Sequence, residues 1–324
     1  MTPSDDDTQR DARHWSRVQE SGTLAGMRLM IWIRRHLGRW PFRLMLVPVI
    51  LYYYAIRHIP RQASQDYLKR IWPLYAGRAP RCVHWLSLRH FLVFGGMLMD
   101  KIDAWSGRTL EARVDGEDRA RLDAAIRSGR GGLVLVSHVG NLEICSAMQE
   151  RRDDFRVVQI MHTRNASKFN ELLARSNLRR APEIIEVSEI TPATAMLLAE
   201  RIQQGRFVMI AADRVPIHDG GRTQTLDFLG APAAFPEGPF HLATLLRCPL
   251  YTVACLRDAE GYRVEFNDFD DTTHVKRAER DAWREQAMRR YVQWLTDQCQ
   301  RQPLQWFNFF PFWASSTTHT RNDD

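Results

Sequence analysis

His138 and Glu143 stand five residues apart in the segment Gly131-Gly-Leu-Val-Leu-Val-Ser-His138-Val-Gly-Asn-Leu-Glu143. A histidine within reach of a carboxylate can act as a base. The carboxylate takes one ring nitrogen and fixes the tautomer, and the other nitrogen is left to accept a proton from a reactant. A separation of five does not put two side chains on one helix face. The pairing therefore needs His138 in a loop and a turn before Glu143, which Gly140 permits. The bare pattern is common: with 11 histidines and 38 acids in 324 residues, about one such pair is expected by chance. The chain has three, His138/Glu143, His274/Glu279 and His319/Asp324. Only the first follows an apolar strand and opens a new element, the position where open α/β sheets place their sites. His274 lies in a polar run before a charged helix and His319 in a polar tail, where both read as solvated.

Other residues could line a site around this pair. Asn141 is a helix start. Asp213 and Arg214 end the apolar run Phe207-Val-Met-Ile-Ala-Ala, and fit a substrate contact and an ordinary strand-end ion pair equally well. His162 and Arg164 fit the rim of a substrate site. Gly230 lies in a Gly- and Pro-rich stretch, 228–240, that shapes a pocket or only turns the chain. There is no G-x-S-x-G elbow, P-loop or metal-binding cluster, so neither a covalent serine intermediate, a cofactor nor a metal is expected. The five cysteines form no C-x-x-C pair, which argues against a zinc cluster or a disulfide framework and suits a reducing cytoplasm.

The elements that must position these residues follow from pattern. Leu133–Ser137, Phe155–Met161, Glu183–Val187, Phe207–Ala212, Leu250–Leu256 and Tyr262–Phe266 read as strands. Asp118–Ser128, Lys168–Arg175, Thr191–Gln204, Phe240–Leu246 and Lys276–Gln300 read as helices, the third with a Thr–Pro start and Gly205 at its end. Strands alternating with helices predict an α/β fold with a mostly parallel, helix-covered sheet.

The N-terminal third differs in character. Residues 1–23 read as disordered and 24–105 as a helical, membrane-associating region. Residues 106–313 form the α/β domain and 314–324 a polar tail. Residues 24–37 are basic and amphipathic. Leu44–Ile56 is uncharged and apolar but only 13 residues long, roughly 20 Å as a helix and short of a membrane span. Arg39 and Arg43 precede it, and Arg57 and Arg61 follow. An interfacial or shallowly inserted helix fits this pattern, and so does a buried helix with snorkelling arginines. The net charge of +7 suits anionic lipid or an acidic protein. No nucleic-acid motif accompanies it, and no nucleic-acid partner is expected.

Taken in order, several blocks resemble the lysophospholipid acyltransferase superfamily, and within it the lipid A late acyltransferases. These are the strand–His138-x4-Glu143 segment, Phe207–Arg214, the loop Phe228-Leu-Gly230-Ala-Pro followed by a helix and Cys248-Pro249, and the ending Gln305-Trp-Phe-Asn-Phe-Phe-Pro-Phe-Trp313. The ending, with Phe235-Pro-Glu-Gly-Pro-Phe, is most similar to a subgroup found in gene clusters for aryl polyene pigments. The chain departs at Met161-His-Thr-Arg164-Asn, where lipid A enzymes carry Tyr-Arg-Pro, and that argues against a sugar-phosphate acceptor of the lipid A type.

The resemblance implies transfer of a fatty or aryl polyene acyl group from a thioester donor to a hydroxyl or amine of a lipid or glycolipid. His138 would be the base and Glu143 its partner, with oxyanion stabilisation from backbone N–H groups or Arg214. It also implies acyl carrier protein, or acyl-coenzyme A, as donor, and the cytoplasmic face of the inner membrane as location. Arg151, Arg152, Arg164, Lys168, Arg175, Arg179 and Arg180 offer a basic surface for an acidic carrier. A thioesterase using water as acceptor and a basic, non-enzymatic membrane adaptor are the competing readings.

Overall fold

Five consecutive apolar or β-branched residues leave no polar face, so such a run belongs in the middle of a covered sheet. The computed structural model describes residues 32–33, 36–105, 112–147, 152, 154–161, 183–186, 191–215 and 222–313. Of the elements fully described, the helices α1 (Arg39–Ile56), α2 (His58–Ala76) and α3 (Val83–Trp105) lead. Then come β1 (Ala112–Arg113), α4 (Gly116–Arg127), β2 (Gly132–Gly140), α5 (Leu142–Ala147), β3 (Val157–Met161), β4 (Glu183–Glu186), α6 (Pro192–Gln203) and β5 (Phe207–Ala211). The chain continues through β6 (Thr223–Phe228), β7 (Ala231–Pro236), α7 (Gly238–Leu246), β8 (Pro249–Asp258), β9 (Gly261–Asp271) and α8 (Arg280–Arg301).

Seven strands form one sheet in the order β1-β9-β8-β2-β5-β3-β4. Every pairing in it is parallel except β8 with β9. The mostly parallel α/β sheet predicted from sequence is therefore present. Alternation along the strands divides the core in two. Leu133, Leu135, Val208 and Ile210 face a cluster built with Tyr67 and Leu68 of α2, Leu198 of α6, Phe240 of α7 and Tyr291 of α8. Val134, Val136, Phe207 and Met209 face a second cluster with Met97 of α3, Leu122 of α4 and Ile144 of α5. β2 and β5 thus lie at the centre, buried on both faces.

Several helix boundaries follow their sequence signals. α6 starts where Thr191 Oγ1 accepts from the Thr194 N–H at 3.2 Å, with Pro192 in the first turn. Two expectations need correction. β2 does not stop at Ser137 but runs through His138 to Gly140, with a break in its pairing to β8 between Val136 and Gly140. The Gly- and Pro-rich stretch 228–240 is not a loop. It holds the turn and second strand of a separate antiparallel hairpin, β6–β7, and the start of α7. Leu229 and Gly230 both have positive φ at its tip (54° and 77°), as a two-residue hairpin turn of matching twist requires. The helix predicted at Lys168–Arg175, residues 1–23, most of 24–37 and the tail 314–324 lie outside the described residues.

α1 runs unbroken through Pro48. Phe42 and Ile50 are buried, and Ile50 and Leu46 close on Gly95 of α3. On its other side Trp40 (80% exposed), Leu44 (75%), Tyr52 (63%) and Ile56 (55%) stand clear of the protein. Among the described residues no single helix is long and apolar enough to cross a membrane; α1 and α2 reach that length together, but with a 92° bend between them.

Candidate active site

The site grows from the register of two neighbouring strands. β2 pairs with β5 so that Gly132 meets Phe207 and Val136 meets Ala211. Two residues further along each strand stand His138 and Asp213. Both lie at the carboxyl end of the sheet, where a parallel α/β fold opens its crevice. Asp213 Oδ1 accepts from His138 Nδ1–H at 2.8 Å, and Oδ2 accepts the His138 backbone N–H at 2.8 Å. A carboxylate only accepts, so Nδ1 carries a proton, and in the neutral ring the lone pair is on Nε2. Asp213 is fully buried and His138 about one-third exposed. The pair thus presents a basic nitrogen at the surface and its counter-charge beneath.

Burial alone would push the Asp213 carboxyl up. The charge of His138, the hydrogen bonds from its ring and backbone, and Arg214 together outweigh it and hold the group down at about 2. Asp213 is therefore ionised throughout the physiological range.

The C-terminal segment closes the site from behind. Val139 bridges Trp306 in antiparallel fashion, Gly140 N–H donates to Gln305 O (2.8 Å), and Phe307 N–H donates to His138 O (3.0 Å). Trp306 Nε1–H donates to Asp213 Oδ2 at 3.0 Å. Gln305 adds two bonds to the main chain of Arg257 in β8, accepting from its N–H (2.8 Å) and donating to its O (2.6 Å). This aromatic ending acts as a short extra strand on the irregular end of β2, satisfying backbone groups that β8 leaves behind at the break.

The remaining predicted residues take different places. Glu143 lies half-buried in the first turn of α5, where an acid suits the helix end. The tautomer-fixing contact expected of it belongs, at Nδ1, to Asp213. The register of β2 and β5 brings Asp213 there directly, whereas Glu143 lies beyond the Gly140 turn. Gly140 does make that turn, at φ 75°, with its backbone so close to β8 that a Cβ would fall 1.9 Å from Cys255 O. Asn141 is buried: its Nδ2 donates to Met97 O of α3 at 3.0 Å and its backbone N–H to Cys255 O at 2.8 Å. It staples helix to sheet.

Arg214 donates to Phe307 O at 2.7 Å and stacks its guanidinium 5.2 Å from the Phe310 ring centre. It anchors the C-terminal segment. Gly230, at the hairpin tip, donates its N–H to Asp227 Oδ1 at 3.2 Å. Arg164 lies outside the described residues, as do Arg151, Lys168, Arg175, Arg179 and Arg180. Arg152, from the same basic run, is engaged by Asp123 (2.6 Å) and Asp154 (3.0 Å), and both raise its pKa. Among the described residues no group of His, Cys, Asp and Glu is arranged to hold a metal ion. A polar cleft of about 460 Å³ between α4, β9 and α8 includes neither His138 nor Asp213 in its walls.

Sequence reasoning singled out Asp213 without its partner and passed over Trp306 as a site residue. The available signal was two apolar strands of similar length, each followed at once by a polar residue, Leu-Val-Leu-Val-Ser-His138 and Phe-Val-Met-Ile-Ala-Ala-Asp213. Pairing them needed the strand order.

An imidazole held by a buried carboxylate at the carboxyl end of a doubly covered, mostly parallel sheet is an arrangement suited to general-base chemistry. Residues 87–315, more than half of the chain, match the model of the bacterial lipid A biosynthesis acyltransferase family, and the chain belongs to that family. It is thus an acyltransferase, and acyl transfer requires an acyl donor and, in this family, a lipid acceptor. No curated protein matches the chain.

Proposed function

We propose that His138 is the general base of acyl transfer from a thioester donor to a hydroxyl or amine of a membrane lipid or glycolipid. The observation that carries this reading is the Nδ1–Asp213 contact, which puts the lone pair of the neutral ring on Nε2, in a side chain about one-third exposed. Nε2 takes the proton of the acceptor as its oxygen or nitrogen attacks the thioester carbonyl. The buried Asp213 charge stabilises the imidazolium, which then protonates the departing thiolate. No covalent enzyme intermediate is needed. Glu143 stands in the first turn of α5, five residues after His138. Arg214 already serves the Phe307 carbonyl. Backbone N–H groups are therefore the better donors to the oxyanion.

The enzyme acts at the cytoplasmic face of the inner membrane, with the exposed apolar side of α1 in the lipid interface. Its donor is acyl carrier protein, and the basic residues between Arg151 and Arg180 meet the acidic carrier. The acyl group is of the fatty or aryl polyene type. The test is product analysis by mass spectrometry with acyl carrier protein or acyl-coenzyme A as donor, with and without native lipid extract. An acylated lipid formed faster from the carrier protein supports the reading. Free acid alone, at the same rate with and without lipid, would assign a thioesterase.

A further inference from the structure

Three segments distant in the chain meet behind His138 and Asp213, and Trp306 is where they join. Its indole N–H reaches Asp213 Oδ2 at 3.0 Å, the oxygen that also accepts the His138 backbone N–H at 2.8 Å. Oδ2 is thereby occupied twice, and Oδ1 is left to the His138 ring at 2.8 Å. Trp306 is fully buried, with Tyr67, Phe228 and Phe312 edge-on around it at 4.9, 5.3 and 5.1 Å.

Its main chain is held as firmly. His90 Nε2–H donates to Trp306 O at 3.0 Å. A carbonyl can only accept, so the His90 proton is on Nε2, and Nδ1 accepts from Ser64 Oγ–H at 3.0 Å. Ser64 Oγ in turn accepts from Ser87 Oγ–H at 2.9 Å. Burial pushes the His90 ring down to about 3, so it stays neutral and the chain of donors keeps one direction. Ser64 lies on α2, and Ser87 and His90 on α3, so the N-terminal helices grip the residue that grips Asp213.

A buried tryptophan needs an acceptor for its N–H, and a backbone carbonyl would satisfy it. Here the acceptor is the second oxygen of the carboxylate that orients the base. We infer that Trp306 is a positioning residue for acyl transfer: its N–H fixes the rotation of the Asp213 carboxylate so that Oδ1 stays on His138 Nδ1, and α2 and α3 set Trp306 through His90. The inference rests on the reading of His138 as base.

Two replacements remove the N–H: Trp306→Phe, and Trp306 replaced by β-(3-benzothienyl)alanine, which keeps the bicyclic shape with sulfur in place of N–H. The first readout is the tautomer of neutral His138, from ¹⁵N NMR of histidine-labelled protein, which needs no substrate. The second is kcat and KM per folded enzyme. The wild type should show the Nδ1–H form, and both variants a mixture of tautomers. In both, kcat should fall about tenfold with KM within twofold, since only the orientation of the base is loosened. A pure Nδ1–H tautomer with undiminished kcat in the isosteric variant overturns the inference, whether or not Trp306→Phe folds. Wild type and His138→Ala, run in the same assay, separate the two claims. Equal transfer by those two would sink the base assignment, while the tautomer spectra judge the clamp alone.

Discussion

At the scale of single residues, the site works by a division of labour between two groups. In the proposed mechanism His138 supplies the lone pair, and the Asp213 contact on Nδ1 leaves it on Nε2 of the neutral ring. Asp213→Asn keeps the shape but removes the charge that stabilises the imidazolium and offers an amide where an acceptor is needed. It should lower kcat by about 10²–10⁴-fold in a protein that still folds. Glu143→Ala should cost less, because the Nδ1 contact survives. Steady-state kinetics on both variants, normalised to folded protein, checks the order; a greater loss from Glu143→Ala would return the partner role to Glu143. The depressed carboxyl also links the site to stability. Its folded value of about 2 lies below the ordinary unfolded value of ~3.9. The stabilisation, about 2–3 kcal/mol, is therefore complete above about pH 5 and is lost as pH falls through 2. Acid unfolding followed by circular dichroism should show that loss in the wild type and a shallower slope in Asp213→Asn.

At the scale of elements, the geometry depends on how β2 ends. Gly140 turns the chain at φ 75° against Cys255 O, where no Cβ fits. Gly140→Ala must move β2 away from β8 or abandon the turn. It should cost at least 2–3 kcal/mol and take the His138–Asp213 contact with it. Thermal melts and transfer assays on the same preparation would show both effects, and an unchanged Tm would contradict this account of the turn.

The elements also show what a sequence can and cannot disclose. Leu133–Val136 and Phe207–Ile210 were legible as central strands because nothing polar interrupts them, and His138 was legible because it follows such a run. Its partner was not, because 75 residues separate Asp213 from His138 and only the adjacency of β2 and β5 brings them together. Gly230 was legible as a turn, but the hairpin that it closes was not, for a related reason. Gly and Pro mark a turn, but whether that turn shapes a pocket or closes a hairpin depends on β6, whose polar alternation gave a weak signal.

At the scale of the whole molecule, the protein has a mixed-sheet catalytic body and a helical N-terminal part whose outer face is apolar. Trp40, Leu44, Val47 and Leu51 recur at helical spacing and are all exposed. So long an apolar stripe is costly in water, and the proposed lipid interface would cover it. Leu44→Glu with Val47→Glu should release the protein from anionic vesicles in a flotation assay and leave the folded body intact; retention of the double variant would show that another surface binds. The central claim is that the Nε2 lone pair of His138 drives the transfer, and single-turnover acyl transfer by purified His138→Ala, with its fold verified by circular dichroism, tests it most directly. The account predicts a rate at least 10²-fold below wild type with donor binding retained, and a rate within a few-fold of wild type would contradict it.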